Sequence, residues 1–188
     1  MRLIVGISGA SGVIMGQQML KALKSIQNIE THLVITEGAR KNFEYETSID
    51  INELTKVADY TYNNKNLAAK ISSGSFVTGG MIVIPASMKT VAGIANGYAD
   101  NLLLRAADVC LKENRKVVLV PREMPLSKIH LRNMKCCADN GCVIVPPMLT
   151  FYNASNSLEE QIDHILGKIL MQFNIEYRNF MAWEGREL

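Results

Sequence analysis

Five short runs in this chain are almost continuously apolar and rich in Val and Ile: Leu3 to Ile7, His32 to Ile35, Met81 to Ile84, Val117 to Val120 and Val143 to Val145. A strand with one wet face alternates apolar and polar residues, whereas an uninterrupted run reads as a strand covered on both sides. Between the runs, apolar residues fall at helical spacing. Met19, Leu20 and Leu23 share a face in one segment, as do Leu102, Leu103, Ala106, Val109 and Cys110 between Asp100 and Glu113. Ser127 is placed to cap a helix carrying Ile129, Leu131 and Met134. Strands alternating with helices require right-handed crossovers, so the expected fold class is α/β, with a doubly wound, mostly parallel sheet and helices on both faces. The stretch from Ile49 to Ser75 is the least patterned, with a helix expected near Ile51 to Ala58 and a Ser/Gly-rich loop from Ser72 to Ser75.

The chain has 188 residues, 48% of them hydrophobic, enough to bury one core, and no repeat, low-complexity tract or Pro/Gly-rich linker divides it. One domain over residues 1–188 is expected, with 173–188 forming an arm between subunits. The formal charge of +2 and a pI near 8.3 come without a dense basic cluster, so nucleic acid is not an expected partner. The opening apolar run is too short for a secretory signal core, and no segment reaches the length of a membrane span, so a cytoplasmic location is expected. Cys110, Cys136, Cys137 and Cys142 form no CxxC pair and are expected to be buried or half-buried thiols. His32, His130 and His164 lack metal-ligand spacing and read as structural, so no metal is expected.

Candidate chemistry lies mainly in the turns that follow the strands. Gly6 to Gly12 (GISGASG) follows the first strand, and its small residues let backbone N–H groups approach a phosphate at a helix N-terminus. Glycine also serves such turns for conformational reasons alone. No acidic residue of the dinucleotide-binding pattern closes the second strand, where Thr36 stands, so a mononucleotide phosphate fits better. PASMKT at 85–90 repeats the arrangement after the third strand, with Ser87 and Thr90 offering hydroxyls; an N-cap serine beside an exposed lysine is the plainer alternative. At the end of the fourth strand Pro121 is followed by Arg122 and Glu123, opposite charges where ligands of open parallel sheets bind, although a simple ion pair would look the same. On the 100–113 helix, Arg105 and Lys112 share a face with Asp108 between them, positioned to neutralise both. Tyr152 and Lys168 lie further on. The serines form no G-x-S-x-G elbow, which disfavours a Ser-His-Asp hydrolase.

Taken together, GISGASG at 6–12, PASMKT at 85–90, RAADVCLKE at 105–113, VPREMPLSKIHLRNM at 120–134 and PPMLTFY at 146–152 resemble the UbiX family of flavin prenyltransferases, in family order and almost from end to end. The resemblance implies a Rossmann-like (flavodoxin-like) fold, a homododecamer, and transfer of a prenyl group from dimethylallyl phosphate to N5 and C6 of reduced FMN without a metal. The product, prenylated FMN, would serve a UbiD-family decarboxylase. It implies FMN contacts at Gly9, Ala10, Ser11, Thr36, Ser87, Met88, Lys89, Thr90 and Arg122. It also implies a prenyl-phosphate site at Arg105, Lys112, Tyr152 and Lys168 from more than one subunit, with Trp183 nearby, and acid/base work by Glu123 supported by Ser11. Ala86, Thr36 and Lys168 depart from residues common in the family; Lys168 would grip phosphate as a point charge where arginine offers a fork. Flavin-dependent cysteine decarboxylases carry a similar PASANT motif, but Lys89 replaces its Asn here and no PxMNxxMW segment occurs. A non-catalytic FMN carrier is the other alternative.

Overall fold

The computed structural model describes residues 1–183 and 185. Its strands are β1 (Arg2–Ile7), β2 (Glu30–Ile35), β3 (Tyr60–Asn63), β4 (Gly80–Ala86), β5 (Lys116–Pro121) and β6 (Cys142–Ile144). Its helices are α1 (Ile14–Lys24), α2 (Glu37–Glu46), α3 (Ile51–Val57), α4 (Met88–Ala95), α5 (Leu102–Lys112), α6 (Lys128–Asp139) and α7 (Leu158–Met171), with a 3-10 turn at Lys70–Ser72. The strands form one sheet in the order β3-β2-β1-β4-β5-β6, and every neighbouring pair is parallel. Without the short edge strand β3 this is the flavodoxin-like order.

Burial explains why the apolar runs became these strands. Every residue of β4 is buried, as are all but the first of β1 and β5. Alternate side chains feed two separate cores. Leu3, Val5 and Ile7 pack with α1, α2, α3 and α7 on one face, while Ile4, Met81 and Val83 pack with α4, α5 and α6 on the other. Full burial of each such side chain contributes about 1.5–3 kcal/mol, so both layers of helices hold the sheet.

All five expected strands are present, and Val145 extends the last through its N–H to Leu119 O at 2.8 Å. The expected helix near Ile51 to Ala58 is α3, capped by the Asp50 side chain, which accepts from Asn52 N at 2.8 Å. Ser127 does cap α6, and His130 closes the box by accepting from Ser127 N at 3.2 Å. Two elements lacked a signal. α2 buries only Ala39 and Phe43, and β3 is a partly wet edge strand of sequence YTYN, so neither shows a strong apolar period. The 3-10 turn also occupies the start of the expected loop at Ser72.

After α7 the chain folds back on its own helix. Tyr177 Oη donates to Asp163 at 2.6 Å and Asn179 Nδ2 to the same carboxylate at 2.9 Å. The described part of the expected arm is thus anchored within its own chain, and residues 184 and 186–188 of that arm lie outside the described residues. No helix among the described residues is long and apolar enough to cross a membrane. Cys110, Cys137 and Cys142 are buried, Cys136 is half-buried, and all are free thiols; burial pushes the Cys110 thiol up to about 11, away from thiolate chemistry.

Candidate functional site

Between β1 and β4 the strand order reverses, and the carboxyl ends of the strands part there to leave a crevice. A cleft of 760 Å³ opens at this point, within the roughly 300–1,000 Å³ usual for small-molecule sites. Gly9 of the first turn lines it, with Thr36 after β2, Ser87, Met88, Lys89 and Thr90 after β4, and Glu123 after β5.

Local hydrogen bonds set this convergence. The buried Ser8 hydroxyl donates to Pro85 O at 2.9 Å and accepts from Ser87 N at 2.8 Å, tying the first turn to the PASMKT turn. Thr36 caps α2, its Oγ1 accepting from Ala39 N at 3.2 Å. Ser87 caps α4, accepting from Thr90 N at 3.2 Å and meeting the Thr90 hydroxyl at 3.0 Å. The plainer reading of Ser87 as a cap therefore holds, and the same cap faces the cleft. Two helix N-termini thus open on one cavity, an arrangement that favours an anion. The Gly9 and Gly38 backbones meet so closely that a Cβ on Gly9 would stand 3.1 Å from Gly38 Cα, which seats the first turn against the start of α2.

Arg122 and Glu123 do not pair with each other. Arg122 Nε reaches across to Ser11 O at 3.2 Å, while Glu123 Oε1 accepts from Met124 N at 3.0 Å. Arg122 thereby braces the turn that holds Ala10 and Ser11. None of these three residues, expected as flavin contacts or support, lines the cleft. Losing this brace in Arg122→Ala is expected to weaken retention of the FMN that the sequence resemblance implies by about tenfold, the scale of one charge-assisted hydrogen bond; equilibrium dialysis with FMN would measure it, and unchanged affinity would exclude the role.

Sequence reasoning missed Ser8 and Glu46. The Glu46 carboxylate, at the end of α2, accepts from Gly12 N at 2.7 Å and Val13 N at 3.4 Å, capping α1 where its own N-cap Val13 has no suitable side chain. Only the absence of a polar N-cap at Val13 hinted that a carboxylate had to come from elsewhere.

The remaining expected residues lie outside the cleft. Arg105 pairs with Asp108 at 2.6 Å and donates to Ser72 O at 3.2 Å. Asp108 does not neutralise both cations as expected, because Lys112 pairs with Glu113, whose carboxyl is lowered chiefly by that hydrogen bond. Tyr152 meets His164 Nε2 at 3.4 Å and stands edge-on to Trp183 with ring centroids 5.5 Å apart. Lys168 lies over the Phe180 ring at 5.6 Å. α5, with Arg105 and Lys112, covers one face of the sheet, whereas α7, with Lys168, covers the other. One copy of the chain therefore does not bring the two groups together. Among the described residues no cluster of three or more His, Cys, Asp or Glu side chains is disposed to hold a metal.

Together these features define a doubly wound α/β protein with a cleft at its switch point, onto which two capped helix N-termini open. Residues 1–174 match the Flavoprotein family. Over 185 residues, 98% of each chain, the sequence is 66% identical to the "Probable UbiX-like flavin prenyltransferase" of Sedimentibacter hydroxybenzoicus. A dodecameric FMN-dependent UbiX-like decarboxylase from Escherichia coli O157:H7 superposes with a TM-score of 0.96 at 50% identity, covering 98% of this chain and 100% of that one. A UbiX crystallised with FMN and dimethylallyl pyrophosphate gives 0.96 at 45% identity, covering 99% and 98%. The chain belongs to the flavoprotein family and, within it, to the UbiX-like flavin prenyltransferases, which are transferases.

Proposed function

We propose that the cleft takes reduced FMN as acceptor and that the enzyme transfers a dimethylallyl group from dimethylallyl phosphate to N5 and C6 of its isoalloxazine. The carrying observation is the convergence of Gly9, Thr36, Ser87 to Thr90 and Glu123 on one cavity at the switch point. The lining suits FMN: capped helix N-termini and the Ser87 and Thr90 hydroxyls for its polar groups, Met88 for its ring. When bound, the flavin supplies the nucleophilic atoms and an aromatic surface. Glu123, at the mouth of β5, holds and moves the proton that the departing phosphate requires, with Ser11 in support, and proton transfer of this kind accelerates such steps by about 10²–10⁴-fold. Arg105, Lys112, Lys168 and Tyr152 neutralise and orient the phosphate, with Trp183 screening it from water.

Because those residues lie on opposite faces of the sheet, the phosphate site needs at least two copies of the chain. A homo-oligomer, up to the dodecamer of the E. coli relative, meets that need, and the segment after α7 contributes its Trp183 side to the junction. In co-expressed mixtures of Arg105→Ala and Lys168→Ala subunits, roughly a quarter of sites are expected to be intact by random pairing in a closed assembly. Activity recovered over either variant alone would show it; no recovery would place both residues in one chain's site.

Residues 1–188 act as a single flavin-binding domain on this reading, which the family match over 1–174 supports. The four free thiols support a cytoplasmic setting, where a UbiD-family decarboxylase would receive the prenylated FMN. Anaerobic incubation with reduced FMN and dimethylallyl phosphate, followed by mass spectrometry of the released flavin, tests the reaction. A flavin heavier by one prenyl unit is the expected product, and unmodified FMN released from a protein shown to bind it would overturn the assignment.

A further inference from the structure

The surroundings of His164 are unusual for a merely structural histidine. It sits on α7 at 4% exposure. Its Nε2 lies 3.4 Å from the Tyr152 hydroxyl, and the two rings stand at 82° with centroids 5.7 Å apart. Its Nδ1 is fully buried and has no hydrogen-bond partner among the described residues. Burying an unpaired polar nitrogen costs about 1–3 kcal/mol, and orphaned N–H donors are rarer than under-used acceptors. The bare lone pair therefore belongs on Nδ1 and the hydrogen on Nε2. Burial, followed by the Lys168 cation one turn along the helix, keeps the imidazole pKa below its ordinary value, so the ring stays neutral and Nδ1 stays bare.

This tautomer decides what Tyr152 can do. With Nε2–H donating to the phenolic oxygen, the Tyr152 hydrogen cannot point back at the histidine. Tyr152 is 46% exposed, so its hydroxyl has an open side on which a ligand can accept that hydrogen. We propose that His164 is a positioning residue, donating Nε2–H to the Tyr152 oxygen and so committing the phenolic proton to an oxygen of the prenyl-donor phosphate. The 3.4 Å separation is at the long end for such a bond. The inference rests on the reading of Tyr152 as a donor-phosphate contact.

The test is a double-mutant cycle on the assembled enzyme with reduced FMN and dimethylallyl phosphate, with FMN affinity as the folding control. Tyr152→Phe is expected to raise the donor KM, and His164→Leu to raise it roughly fivefold with FMN affinity kept. His164→Gln, which retains a side-chain N–H, should restore most of the loss, and the double variant should be no worse than Tyr152→Phe alone. Multiplying losses, or an unchanged KM in His164→Leu beside a raised one in Tyr152→Phe, would overturn the role of His164 alone. An unchanged KM in Tyr152→Phe would remove the donor site itself and the inference with it. Nitrogen-15 chemical shifts of the labelled imidazole give a reading independent of turnover: a protonated Nε2 supports the proposal and a protonated Nδ1 refutes it.

Discussion

Glu123→Gln is expected to slow prenyl transfer by about 10²–10⁴-fold, the range for loss of a positioned acid/base group, while FMN still binds. The substitution is nearly isosteric. The amide oxygen can still accept from Met124 N, as Oε1 does now at 3.0 Å. Arg122 does not depend on Glu123 for its position, since it is held by Ser11 O at 3.2 Å. What disappears is the capacity to give and take a proton at the point where β5 opens on the cleft. Single-turnover assays under anaerobic conditions, paired with FMN titration, separate the two effects. A rate within twofold of the parent enzyme would remove Glu123 from the chemistry and favour a protein that only carries the flavin.

The second large effect is on stability. Gly80 opens β4 with φ of +140°, and an added Cβ would stand 2.2 Å from Lys116 O, the carbonyl of its own register partner on β5, and 2.9 Å from the Phe173 ring. The carbonyl is backbone and cannot rotate away, so Ala must separate the interior strands β4 and β5 where their pairing starts. The combined strain and lost pairing should cost about 3–5 kcal/mol, lowering the unfolding midpoint by roughly 10 °C for a domain of this length. Gly97 provides the control: its φ is +64°, yet nothing lies within 4 Å of an added Cβ. Gly97→Ala should carry only the strain of a left-handed residue, about 1–2 kcal/mol. Equal losses in the two variants would show that conformation, and not the contact with Lys116, dominates at Gly80.

The legible parts of this fold were those where one residue type answers to one environment. Val117 to Val120 read as a doubly covered strand because all four are buried. Ser127 read as a cap because a hydroxyl there accepts from a helix N–H, that of His130, which has no partner within the first turn of the helix. α2 escaped because its helix is mostly wet, with Phe43 and Ala39 alone turned to the core. β3 escaped because it pairs along one edge only, with His32 opposite Tyr60 and Ile35 opposite Asn63. The candidate cleft was partly legible for the same reason: Gly9, Thr36, Ser87 and Glu123 each follow a recognisable strand, so the general geometry of parallel sheets brings them to one edge.

The covered parallel sheet, its turns at the carboxyl edge and the family likeness carried by motifs within those turns are all written in short stretches of residues. Local patterns suffice for these, since burial and capping act over a few residues. Tertiary structure alone decided which turns meet, because strand order is a long-range property: Ser8 joins Pro85 and Ser87, Glu46 closes the first turn, and Arg122 reaches back to Ser11. It also decided that Arg105 and Lys168 fall on opposite faces of the sheet, and that His164 stands against Tyr152. Apart from the His164 contact, which crosses only the loop before α7, these relations join residues 34 to 111 positions apart, and no spacing rule operates at that range because the intervening chain passes through several packed elements.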